Sequence, residues 1–322
     1  EEDYTVINRK TRIYYNKYFF DYPLKPFNAL KGLGLFEATR CIISLFKSKL
    51  RIINLKKNNQ ASSFEDWVRN RFGGRLFEIF FKTYSEKLWG IPCNKLDSDF
   101  AAQRIKKFSL IEAIKSSLLK KKGFKHKTLV DAFTYPNLGT GMIYERMLKK
   151  ILNLGSTIYF NKPVKAINPN KKKNNQVEII FQNDSAQYYD EIISTMPITN
   201  LVRSMQSIAP NEVMKCIDTL KFRNTILVYL EIKNEKIFPD QWIYVHTQKL
   251  KTGRITNFRN WASTINKNKK ETILCLEYWA NNDTKLWNET DKNLINLASK
   301  EIVETGLVSN NLIEKGHVIR LP

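Results

Sequence analysis

The hydrophobic period of this chain changes twice, and that confines it to a mixed α/β fold. From Asn28 to about Leu50 apolar residues recur at helical spacing, and Ser109 to Lys121 carries a similar pattern. Between them Ser63 opens a helix as N-cap, with Asp66 three positions on as its capping-box partner. Gly73-Gly74 interrupts that helix and predicts a kink or a junction of two. After Gly123 the pattern alternates: a helix from Met142 to Leu154, strands at Thr157–Phe160 and Val164–Ile167, a period-two run at Val177–Phe181, and a short buried strand over Asp190–Thr195. From Thr225 the chain is mostly strands: Thr225–Ile232, Trp242–Val245, Arg254–Phe258 and Thr272–Trp279. Asp291 to Thr305 reads as a helix closed by Gly306. At the other end Thr11 to Tyr22 reads as a hairpin turning at Asn16-Lys17, since Asn tolerates the positive φ of a tight turn.

Within the first helical region, one segment carries chemistry. Phe80 and Tyr84 stand at i and i+4, followed by a turn able to form ion pairs, then Trp89 and Gly90; Arg104 comes downstream in Gln103-Arg104-Ile105-Lys106. Such rings can stack a flat base, worth roughly 1–3 kcal/mol per base, and a guanidinium fork matches phosphate oxygens. The same stripe also reads as a packed core face, Trp89 as a domain-junction anchor, and Arg104 as an ion-pair partner of Asp97 or Asp99.

Composition narrows the partners. The net charge is +22, with lysine clusters at Lys120–Lys122, Lys171–Lys173 and around Lys269. Such a field attracts polyanions, anionic surfaces or phosphorylated substrates. The clusters sit where loops are expected, so solvated loops and a phosphorylated small molecule are the expectation, not nucleic acid. A basic module binding nucleic acid or acidic glycan is the non-enzymatic alternative. Cys41, Cys93, Cys216 and Cys275 are scattered and read as thiols of a reducing compartment. His126, His246 and His317 are equally dispersed, so no metal site is expected. No apolar run approaches the ~20 residues of a membrane span, and the expected location is the cytoplasm. Oligomeric state is not legible.

Several blocks, in order along nearly the whole chain, resemble the FAD-dependent amine-oxidase and protoporphyrinogen-oxidase-like superfamily, in a branch close to UDP-galactopyranose mutase. They are Phe64–Val68, Tyr84–Gly90, Ala101–Lys106, Tyr135–Met142, Ser194–Pro197, Trp242–His246, Gly253–Phe258 and Leu276–Trp279. The resemblance implies FAD as cofactor, with the backbone around Val164 beside the adenine and Thr195, Met196 and Pro197 beside the cofactor. It implies a small-molecule substrate, a UDP-sugar in its sharpest form, bound by Phe80, Tyr84, Trp89, Arg104 and Arg254. Tyr84 and Trp89 match positions enclosing uracil, Phe80 a further wall, and Arg254 the arginine on the diphosphate; Arg104 lies one place from its counterpart. Glu86 and Leu88 depart from the mutase motif, and Trp242–His246 fits the oxidoreductase branch better. Two chemistries follow from it: oxidation with hydride passing to the flavin, or a mutase reaction without net redox change.

The expected architecture is an α/β (α+β mixed) chain: an incomplete FAD/NAD(P)-binding Rossmann-like domain with a helical unit and an antiparallel-sheet substrate domain. Residues 1–26 form a hairpin segment of the substrate domain, 27–127 its helical unit, 128–200 a second segment of the FAD-binding domain, and 201–322 the sheet. A dinucleotide fold should open with strand, G-x-G-x-x-G and helix, and neither Gly32-Leu33-Gly34 nor Gly139-Thr140-Gly141 completes it. The expectation is therefore a fragment, inactive alone, lacking the pyrophosphate loop and the last flavin contact. The competing reading is a complete small protein that has lost FAD.

Overall fold

The computed structural model describes residues 3–322 apart from 23, 55–61, 101–131, 170–175, 206, 263 and 266–268. The chain divides into two units, residues 1–142 with 223–322, and residues 143–222.

In the first unit, strict alternation builds a two-faced sheet. Strand β1 (Tyr4–Asn8) pairs antiparallel with β4 (Ala132–Pro136) as a separate ribbon. The main sheet has seven strands, in the order β12 (Ile313–Leu321), β8 (Asn224–Ile232), β11 (Thr272–Ala280), β10 (Arg254–Asn257), β9 (Trp242–Val245), β2 (Thr11–Tyr15), β3 (Tyr18–Asp21). All neighbours are antiparallel except β2 and β9, which run parallel. The hairpin β2–β3 turns at Asn16 and Lys17, with φ of 47° and 64°, the left-handed pair that matches strand twist.

On β8 every second side chain is buried: Ile226, Val228, Leu230 and Ile232 are inaccessible to solvent. They pack with Leu274, Leu276 and Tyr278 against Leu294, Ala298 and Ile302 of the helix Asp291–Glu304. Fully burying such a side chain contributes about 1.5–3 kcal/mol, so this face is the main core. The opposite face carries Tyr244, Arg254 and Glu277 side by side across β9, β10 and β11, and beside them Trp242, Thr256 and Cys275. Over β2 and β3 that face is closed by a second cluster, in which Ile13 and Phe20 meet Cys41, Ile79 and Phe80.

The covering helices are α1 (Pro26–Asn54), α2 (Phe64–Phe72), α3 (Gly74–Phe77) and α4 (Thr83–Trp89). Ser63 caps α2 as its sequence predicts: its Oγ accepts from the Asp66 amide at 3.1 Å and bonds the Asp66 carboxylate at 2.8 Å. Gly73 separates α2 from α3. A π-helical turn, Glu78–Lys82, joins α3 to α4. Such turns reset the helical phase and recur at functional sites.

The second unit holds most of α5 (Gly141–Asn153), an antiparallel sheet of β5 (Val164–Pro169), β6 (Val177–Phe181) and β7 (Ala186–Tyr189), then α6 (Ile198–Ser204) and α7 (Asn211–Thr219). Two expectations are corrected here. Thr157–Phe160 and Asp190–Thr195 form no strands, because neither pairs with a strand among the described residues. Instead they run as irregular chain with Phe160 71% and Ile193 93% exposed. The helix expected at Ser109–Lys121 lies outside the described residues. Among those described, no helix is long and apolar enough to cross a membrane.

Candidate functional site: an aromatic wall over the sheet

The site grows from where α4 crosses the sheet. Tyr84 projects from the first turn of α4 onto two strand residues, Tyr244 and Trp279, and onto His246 just past the end of β9. Its ring stacks on His246 with centroids 4.8 Å apart and planes 19° apart. Tyr244 and Trp279 meet it edge-on at 5.5 Å and 5.7 Å. Tyr22 lies edge-on to Tyr244 at 5.4 Å, extending the wall toward the hairpin. Edge-to-face and offset pairs of this kind satisfy the ring quadrupoles, so Tyr84 is held on several sides. Burial, and to a smaller extent Tyr244, raises its hydroxyl pKa, which keeps it a neutral donor.

Arg254 stands on the strand between Tyr244 and Glu277. Its Nε donates to Glu277 Oε1 at 2.6 Å, and Glu277 is buried while Arg254 is partly exposed. Burial works against the Arg254 charge, and Glu277, together with Tyr84 and Tyr244, more than offsets it. A guanidinium held at its Nε by a buried carboxylate is oriented in advance of any further partner.

His246 is the least expected member. It is 6% exposed, and its Nδ1 is buried without a hydrogen-bond partner among the described residues. Burial, then the neighbouring Lys87 charge, lower its pKa to about 3, against the opposing pull of a hydrogen bond to the Phe80 backbone. The ring is thus neutral at ordinary pH.

Two cations fix α4 in place through backbone carbonyls. Lys87 Nζ donates to the carbonyls of Thr247 at 2.7 Å and of Val245 and Thr252 at 3.2 Å. Arg223 donates to the carbonyls of Lys87 and Leu88, at 2.9 Å and 3.3 Å, and to Trp279 O and Asn281 Oδ1. The carbonyls at the end of α4 have no intrahelical partner, so a guanidinium there closes the helix. Gly90 makes that closure possible. It takes the left-handed C-cap conformation, φ 69°, and a Cβ there would lie 2.7 Å from Arg223 Cζ.

Of the residues expected from sequence, Tyr84 and Arg254 come to one place. Phe80 is 3% exposed and sits behind them, edge-on to Phe20 at 5.1 Å and 6.5 Å from His246. Trp89, at the other end of α4, is 37% exposed and packs edge-on against Phe100 at 4.8 Å. Arg104 lies outside the described residues. Sequence reasoning assigned no role to His246, Glu277, Lys87 or Arg223. The available signal for the first was Trp242, Tyr244 and His246 at period two, too many rings for a solvent face of an ordinary sheet.

Val164, Thr195, Met196 and Pro197 belong to the other unit. Val164 opens β5 just before a register shift, and Thr195 and Pro197 are exposed with Met196 half-buried. Beside them Ser194 Oγ is buried without a partner among the described residues. An orphaned hydroxyl next to an open, partly apolar segment fits a bound polar cofactor such as FAD. Among the described residues no group of three or more His, Cys, Asp or Glu could hold a metal ion.

The fold is that of known flavoenzymes. It superposes on reduced UDP-galactopyranose mutase with a TM-score of 0.82 at 20% identity, covering 99% of this chain and 67% of that one. A protein assigned as a protoporphyrinogen oxidase from Exiguobacterium sp. 255-15 gives 0.69 at 14%, covering 99% and 69%. A putrescine oxidase redesigned in its cofactor binding gives 0.59 at 11%, covering 98% and 68%. At these identities the likeness shows the fold. The family of flavin-containing amine oxidoreductases matches residues 4–305. The chain belongs to that family, and its cofactor is FAD.

Proposed function

We propose that this protein is an FAD-dependent oxidoreductase acting on a nucleotide-sugar or related glycan substrate. The observation that carries the reading is the juxtaposition of Tyr84, stacked on His246, with Arg254, aimed by Glu277. An aromatic wall and a fixed guanidinium are what a base or sugar ring linked to a phosphate requires. In this reading Tyr84 stacks the planar or sugar end, Arg254 holds the phosphate, and Phe80 backs the wall from the core. Trp89 and Arg104 are proposed as further substrate-binding residues.

Bound FAD supplies the electron chemistry, as cofactors of this kind do. Val164, Thr195, Met196 and Pro197 are proposed to hold it, within a cofactor-binding segment at 128–200. The substrate segments are then 1–26, 27–127 and 201–322.

The likeness to reduced UDP-galactopyranose mutase favours a second reading, an isomerase using reduced FAD. One experiment on the full-length, flavin-loaded protein separates the two. Anaerobic mixing with UDP-galactose should bleach the oxidised flavin band if the substrate is oxidised. Sugar-ring isomerisation seen only after prior reduction supports the mutase reading. Neither bleaching nor isomerisation, with no UDP binding, contradicts the nucleotide-sugar assignment.

A further inference from the structure

Lys87 is an unusual use of a lysine. It sits one turn beyond Tyr84 on α4, in a sequence stretch where a charged residue would ordinarily face solvent. Its ammonium instead meets three main-chain carbonyls, those of Val245, Thr247 and Thr252. Two of these, Val245 and Thr247, are the residues on either side of His246. The third, Thr252, precedes Gly253 and Arg254. One cation therefore gathers the segment bearing His246 and the approach to Arg254, and fastens both to the helix that carries Tyr84.

Geometry leaves little else for Lys87 to do. An ammonium has three donors and no acceptor, and all three are used on carbonyls. Among the described residues the carboxylate whose charge acts on it is Glu301, on the helix behind the sheet. Glu301 is itself occupied by the amides of Lys251 and Thr252 and by the Tyr278 hydroxyl. On the site side the neighbours are the neutral His246 and the uncharged Tyr84.

We propose that Lys87 is a positioning residue, whose contacts with the carbonyls flanking His246 fix the Tyr84 ring on the His246 ring. Its effect on ligand binding passes through that stack. The proposal rests on the reading above that Tyr84 walls the substrate site, but the position of the stack itself does not.

The test compares wild type with Lys87→Met, Lys87→Gln and Lys87→Arg in the full-length, flavin-loaded protein. The near-ultraviolet circular dichroism contributed by Tyr84, obtained as the difference between wild type and Tyr84→Phe, reports the stack without ligand. Hydrogen exchange over 83–89 and 245–252 reports the fastening. UDP titration reports the site. Lys87→Met should erase the Tyr84 dichroism, raise exchange at least tenfold in those two segments alone, and weaken UDP about tenfold. Lys87→Arg should restore part of all three. If Lys87→Met does not fold, Lys87→Gln, which keeps two donors, carries the comparison with smaller changes of the same sign. An unchanged Tyr84 dichroism and unchanged local exchange in a folded Lys87→Met or Lys87→Gln protein overturn the proposal. Failure of wild type to bind UDP sinks the nucleotide reading instead, and dichroism and exchange then decide Lys87 alone.

Discussion

Tyr84 and His246 lie ring on ring, 4.8 Å apart and 19° from parallel, although 162 positions apart, one on a helix and the other just past the end of a strand. The histidine gives up protonation to make that contact. Its pKa falls from an ordinary 6.5 to about 3, chiefly through burial.

That depression makes His246 an acid-sensitive element of stability. Its folded pKa lies below its unfolded one, so the unfolded chain binds the extra proton first. The contribution is complete above about pH 6.5 and is lost as pH falls toward 3, at up to roughly 1.4 kcal/mol per unit. Urea unfolding of wild type and His246→Phe at stepped pH should show the steeper acid loss in wild type. Parallel curves would mean that His246 titrates freely in the fold.

Gly253 is dictated by Trp279. A Cβ at residue 253 would fall 1.8 Å from Trp279 Cζ3, so alanine there must push the indole off its bed and away from the edge of Tyr84. Overpacking of this kind costs typically about 1–3 kcal/mol. Gly253→Ala should lower the melting temperature and shift the tryptophan emission. An unshifted emission spectrum with an unchanged melting temperature would show that the indole has another place to go.

Arg254→Lys tests the planar fork. An ammonium keeps the charge beside Glu277 but cannot present two parallel N–H groups to a phosphate. UDP affinity should drop about tenfold with little change in thermal stability. Equal loss for uridine and UDP would remove the phosphate from Arg254's role.

Much of this was legible in the sequence, and the reasons it was or was not are local. The hairpin at Asn16-Lys17, the cap at Ser63-Asp66 and the strands from Thr225 to Trp279 follow from turn chemistry and period. The strand β12 was missed because Ile313–Leu321 alternates poorly and includes Gly316 and exposed polar residues, as an edge strand does. Thr157–Phe160 and Asp190–Thr195 have strand-like composition without a paired strand, and propensity alone cannot supply a ladder. For the candidate site, Tyr84 stood out by its i, i+4 spacing from Phe80, and Arg254 only through the block it shares with the resembled superfamily. Lys87 and Arg223 did not: their partners are mostly main-chain carbonyls, up to 165 residues away, which no side-chain pattern encodes.

The central claim is that Tyr84 and its surround form a nucleotide-sugar site, and calorimetric titration of UDP into the full-length, flavin-loaded protein tests it most directly. Wild type should bind, and Tyr84→Ala should weaken binding by about 1–3 kcal/mol while the flavin absorption spectrum stays the same. Absence of UDP binding in wild type, or equal affinity in Tyr84→Ala, would contradict the claim and leave the aromatic wall as packing.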